Sequence, residues 1–127
     1  RMMNEREFPN LSAEDWRTFA RRTFAEEHGA PKIDYDTKIG TAMRKGLEAS
    51  KGEIPTLWPQ FKSLSQMHLL AIRGENSDIL TAEIMARMAD ANPAMKSVVV
   101  KDRGHAPFLD QPEALGAIDD FLASGNL

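Results

Sequence analysis

Residues Val98–Leu122 read VVVKDRGHAPFLDQPEALGAIDDFL. A run of valines gives way to Gly104-His105, and an amphipathic stretch opened by Pro112 follows. A β-branched apolar run bounded by a glycine has the character of a buried strand. Leu115, Ile118, Phe121 and Leu122 recur at helical spacing behind Pro112, with Gly125 as a stop, so a helix with these four as its buried stripe is expected there. The strand thus ends by placing a histidine on a glycine-hinged loop. Either that histidine is an ordinary surface residue or it belongs to the part of the chain that does chemistry, and the upstream sequence decides.

The same alternation occurs just before it. Met67–Ile72 (MHLLAI) is an almost continuous apolar run that ends at Arg73-Gly74, and Ser97–Val100 is the run already quoted. Between them a helix is expected over Thr81–Ala91, capped by Thr81, stopped by Asn92-Pro93, with Ile84, Met85 and Met88 inward. The order strand, helix, strand, helix, with strands too apolar for a wet face, predicts an α/β class and parallel strands flanked by helices. Two strands alone would leave hydrophobic edges unpaired, so further strands are expected from elsewhere.

Upstream of residue 65 the chain reads as helical. Ser12 is a good N-cap, with Glu14 and Asp15 where the helix dipole favours negative charge. Trp16, Phe19, Ala20, Thr23 and Phe24 then share one face of a helix expected to run to Gly29 and Pro31. Arg17, Arg21 and Arg22 form its solvated face, and His28 sits near its C-terminus, where a cation suits the dipole. A second helix is expected around Ile39, Met43 and Leu47, and a short third one after Lys51–Pro55, with Leu57, Phe61 and Leu64 on one side. Residues 1–65 are therefore taken as one helical region and 66–127 as the α/β part.

Composition narrows the partners. The 127 residues carry a formal net charge of −3 with both signs interspersed, which gives no electrostatic reason to expect nucleic acid. No apolar run approaches the roughly 20 residues a membrane helix needs, so no membrane partner is expected. Cysteine is absent, which removes disulfides, thiolate metal sites and a cysteine nucleophile, and permits the cytoplasmic location expected here. No residue cluster calls for a metal or an organic cofactor.

In open α/β sheets functional groups gather on loops beyond the carboxyl ends of the strands. The loop RGENSDIL after the first strand offers Asp78, with Glu75 and Asn76 as competitors, and the loop KDRGHAPF after the second offers His105. Parallel neighbouring strands would bring both loops to one edge. An aspartate bonded to the imidazole Nδ1–H fixes the tautomer and leaves Nε2 as a base. Asp78 could equally cap a turn, and His68, within the first apolar run, is expected to pack locally.

LLAIRGENSDILTAE (Leu69–Glu83) followed by Val98–Leu122 resembles the C-terminal part of an α/β-hydrolase-fold enzyme. In that family the last two core strands carry the triad acid and then the triad histidine. The resemblance implies Asp78 as the acid, His105 as the histidine, and the Pro112 helix as the final helix of the fold. Residues Asn10–Leu64 resemble, more loosely, the helical cap that precedes these strands, which would turn Trp16, Phe19 and Phe24 toward a small, partly apolar substrate.

The nucleophile elbow G-x-S-x-G and the oxyanion-hole loop are absent from the sequence. None of the seven serines stands between two such glycines, and Ser77 shares the loop of Asp78. The chain opens on Arg1 rather than a methionine. It is expected to be the C-terminal half of a larger hydrolase, inactive alone, with its nucleophile upstream. Its partners would be a small-molecule substrate and either the N-terminal half of the same protein or a second copy. The alternative is a non-catalytic binding domain that completes its sheet by dimerisation.

Overall fold

The structure is a computed structural model that describes residues 6–53 and 56–125. The Arg1 start, and part of the Lys51–Pro55 break before the third helix, lie outside the described residues. The chain divides into two compact units, Leu11–Leu57 and a second made of Arg1–Asn10 with Trp58–Leu127.

The first unit opens with α1 (Ala13–Thr23). Ser12 caps it reciprocally: its Oγ accepts from the Asp15 N–H at 3.1 Å, while the Asp15 carboxylate accepts from the Ser12 N–H at 2.8 Å. Both otherwise orphaned donors are thereby satisfied. Glu14 pairs with Arg17 at 3.1 Å on the exposed face, where the arginine cluster was expected.

The helix ends earlier than its periodicity predicts. Phe24 leaves the helical conformation and begins β1 (Phe24–Glu27), which pairs antiparallel with β2 (Ala30–Ile33). His28 and Gly29 form the two-residue connection, with φ of 53° and 78°. Positive φ at both central residues is the hairpin geometry whose twist matches its strands. His28 is therefore a turn residue, not a helix C-terminal cation, and Phe24 does not continue the α1 face. Gly29 and Pro31 mark a hairpin, because Pro31 needs no N–H on a two-stranded edge. α2 (Lys38–Ala49) follows where Ile39, Met43 and Leu47 placed it, and all three side chains are exposed.

In the second unit α3 (Trp58–Lys62) passes into a 3₁₀ turn over Ser63–Gln66. Asn92, buried at the end of α4 (Ala82–Ala91), donates from Nδ2 to the Phe61 carbonyl at 2.9 Å. Arg87 of α4 lies 4.5 Å above the Trp58 ring. These contacts anchor α3 to α4.

β3 (Leu70–Gly74) and β4 (Lys96–Val100) pair in parallel, with Ile72 opposite Val98 and Gly74 opposite Val100. β3 begins three residues later than the apolar run and extends two further, because backbone pairing, not side-chain hydropathy, sets its ends. Met67 stays exposed, and His68 sits edge-on to Phe121. α5 (Pro112–Ser124) carries Pro112 in its first turn and packs on β4 and β3, but it buries Ala114 while Leu115 and Leu122 of the expected stripe are exposed. The core of this unit centres on fully buried Val100 and Ala114, with Ala71 and Met85 around them. Among the described residues no helix is long and apolar enough to cross a membrane.

Candidate active site

Parallel pairing sends both chain segments out of the sheet at the same edge. The loop after β3 carries Glu75, Asn76, Ser77 and Asp78; the loop after β4 carries Asp102, Arg103, Gly104 and His105. Hydrogen bonding continues beyond the strands. The Glu75 N–H donates to the Val100 carbonyl at 2.9 Å, and the Asn76 N–H donates to the Arg103 carbonyl at 2.8 Å. Side chains add to this: Glu75 Oε2 accepts from the Asp102 N–H at 3.0 Å.

Gly74 makes the close approach possible. A Cβ at this position would lie 2.2 Å from the Gly104 carbonyl oxygen and 2.3 Å from that of Arg103. Gly104 is constrained in turn, since a Cβ there would fall 2.4 Å from the Glu7 Cβ. The segment around Glu7 and Phe8 lies beneath the histidine loop. The Glu7 carbonyl accepts from Asn76 Nδ2 at 3.3 Å, and buried Phe8 stacks on Phe108 with centroids 5.1 Å apart.

The loop after β3 is a tight turn. Ser77 is buried, and its Oγ accepts from the Leu80 N–H at 3.0 Å. The Ser77 N–H donates to the Gly74 carbonyl at 3.0 Å. Arg73 clamps the same turn from the strand, donating from Nε to the Leu80 carbonyl at 2.7 Å and from a terminal nitrogen to the Glu75 carbonyl at 2.8 Å.

Asp78 projects from this turn and His105 from the neighbouring loop, both exposed. They share the sheet edge without a direct hydrogen bond or ion pair between them. The competitors for the acid position are otherwise engaged, Glu75 with Asp102 and Asn76 with Glu7. Trp16, Phe19 and Phe24 lie in the first unit. Trp16 and Phe19 meet edge to face at 5.7 Å, and Phe24 borders a cavity of about 370 Å³ with Arg17, Arg21 and Pro31.

Sequence reasoning did not find Gly74, Glu75 and Glu7-Phe8 as the elements that join the two loops. Gly74 carried a usable signal, a glycine closing an apolar strand just before the Asp78 loop. Glu7-Phe8 carried none, for its contacts lie far away in sequence.

No family model matches the chain. Over 120 residues, 91% of its length, it is 28% identical to a 3-hydroxybutyrate-oligomer hydrolase of Cupriavidus necator, of which it covers 41%. Its structure resembles that of an α/β hydrolase from Novosphingobium aromaticivorans, with a TM-score of 0.77 and 36% identity, over 94% of this chain and 41% of that one. It also superposes on E-2-(acetamidomethylene)succinate hydrolase, with a TM-score of 0.65 and 23% identity, over 97% of this chain and 43% of that one. The chain thus spans about two fifths of the length of the proteins it matches. With its parallel β3–β4 pair, the crossover helix between them and the helix that follows, it forms the C-terminal part of the α/β-hydrolase fold.

Proposed function

We propose that this chain supplies the acid and the histidine of a nucleophile–Asp–His triad in a hydrolase that acts on a small ester-like substrate. The observation that carries the reading is the joining of the Asp78 and His105 loops along one edge of the β3–β4 pair. Asp78 and His105 are not bonded to each other in this chain; in the whole protein, on this reading, Asp78 comes to accept from Nδ1–H of His105 and fixes its tautomer, so that Nε2 removes the proton of the nucleophile as it attacks. The protonated imidazole then gives that proton to the leaving group. In the second half-reaction the same nitrogen activates water, which releases the covalent intermediate. The nucleophile belongs to a segment of the whole protein outside these 127 residues.

The exposure of Asp78 and His105 supports this division, because both remain accessible to a group brought by another segment. The free side of the two-stranded sheet is assigned to further strands of the whole protein, and unit Leu11–Leu57 to a cap with Trp16, Phe19 and Phe24 toward substrate. The similarity to an oligomer hydrolase supports the reaction class.

The test is turnover of p-nitrophenyl butyrate by the whole protein. His105→Ala is expected to lower kcat by several orders of magnitude, and Asp78→Asn by about 10⁴ through the wrong tautomer. Near-normal turnover in His105→Ala would remove the basis of the assignment.

A further inference from the structure

Glu75 has the right chemistry for a triad acid, yet its carboxylate is turned to another task. The residue follows β3 directly, and its backbone is fixed on both sides. Its N–H donates to Val100, and its carbonyl accepts from Arg73. From that fixed origin Oε2 accepts the Asp102 N–H at 3.0 Å. Asp102 has a φ of 54°, in the left-handed region that, among residues with a Cβ, Asp and Asn enter most readily with local hydrogen-bond support. A charged acceptor on its N–H is a strong kind of hydrogen bond and favours that conformation. The next residue is held as well, since the Arg103 carbonyl accepts from Asn76. The turn from Lys101 to Arg103 sets the direction in which Gly104-His105 leaves the sheet.

We propose that Glu75 is a positioning residue that holds the Asp102 turn and thereby aims His105, and that it is not the triad acid. The inference rests on the reading of His105 as the base. A displacement of about 1 Å at a catalytic group costs on the order of 10²-fold in rate, so loosening one anchor of this turn has a visible kinetic effect.

The whole protein is assayed on p-nitrophenyl butyrate as Glu75→Ala, Glu75→Gln and, in parallel, His105→Ala. Glu75→Ala is expected to lower kcat about 10- to 100-fold with a smaller change in KM. Glu75→Gln keeps an oxygen acceptor and is expected to recover most of that loss. Amide hydrogen exchange at Asp102 gives a readout that does not depend on activity. Protection is expected to fall in Glu75→Ala and to persist in Glu75→Gln. Unchanged Asp102 exchange in Glu75→Ala overturns the proposal, whatever the kinetics. Gln as inactive as Ala while Asp102 protection persists overturns it too, because the grip would then be intact and the carboxylate itself would be needed for turnover, as a triad acid is. A dead His105→Ala beside a fully active Glu75→Ala rejects this inference alone, whereas an active His105→Ala rejects the triad reading and this inference together.

Discussion

Gly74 has no room for a side chain because the carbonyl oxygen of Gly104 occupies the space, 2.2 Å from where a Cβ would stand. The Gly104 carbonyl and the neighbouring Arg103 carbonyl are both backbone, so no rotamer change can relieve the contact. Gly74→Ala is expected to part the two loops, at a stability cost of about 1–3 kcal/mol in chemical denaturation. Gly116, inside α5 with nothing within 4 Å of its would-be Cβ, gives the opposite sign. Gly116→Ala is expected to stabilise by about 0.5–1 kcal/mol. Equal stability of the two variants would show that the loops are not held together at Gly74.

Ser77 offers a check on where the nucleophile lies. Its Oγ is buried and bonded to the Leu80 N–H, which is the role of a turn residue. Ser77→Ala in the whole protein is expected to cost about 1 kcal/mol of stability and to leave ester turnover within a few-fold of normal. Loss of turnover as deep as that of His105→Ala would make Ser77 the attacking group instead.

The hairpin turn responds to substitution through backbone conformation alone. Gly29, with φ of 78°, meets nothing within 4 Å, so Gly29→Ala is sterically free yet conformationally strained. A loss of about 1 kcal/mol is expected from the left-handed backbone. His28→Asn places a residue better suited to φ of 53° and is expected to be neutral or slightly stabilising. Thermal melting of the two variants measures the contrast.

Acid should weaken the start of α4 in a definite direction. The Glu83 carboxyl is held below the usual carboxylate range, first by its own backbone N–H and then by the Thr81 hydroxyl. Thr81 also caps the helix, its Oγ1 accepting from the Ile84 N–H at 3.3 Å. A depressed carboxyl contributes stability above its unfolded value and loses it as pH falls through the folded value. Thr81→Ala is expected to cost about 1 kcal/mol at neutral pH, and the gap from the natural protein should narrow once Glu83 is protonated. Urea melts at neutral pH and below the ordinary glutamate range measure this, and a gap that widens in acid would contradict it.

The α/β part was legible because its signals are local and strong. Thr81, Asn92, Pro112 and Gly125 bound their helices by cap and stop chemistry, and the valines of β4 could hardly be anything but a strand. The hairpin was hidden because Trp16, Phe19 and Phe24 fit a helical period, while what breaks that period, the pairing of Phe24 with Ile33, lies across a turn. The candidate site was legible as residue types at strand ends. Its internal bracing by Glu75, Gly74 and Phe8 was not, since contacts between remote segments leave no periodic trace.

The amide protons of Asn76 and Asp102 are each sheltered by a group on the opposite loop, and that of Glu75 by the last carbonyl of β4. Neither loop can fray alone: an excursion of one strips the other, and the opening continues into the ladder between β3 and β4. The two loops therefore behave as one cooperative foldon whose opening free energy is tied to the sheet rather than to surface breathing. Because Glu75 and Asp102 stand 27 residues apart, the edge that carries Asp78 and His105 forms only with the loop-closure entropy of the whole crossover through α4.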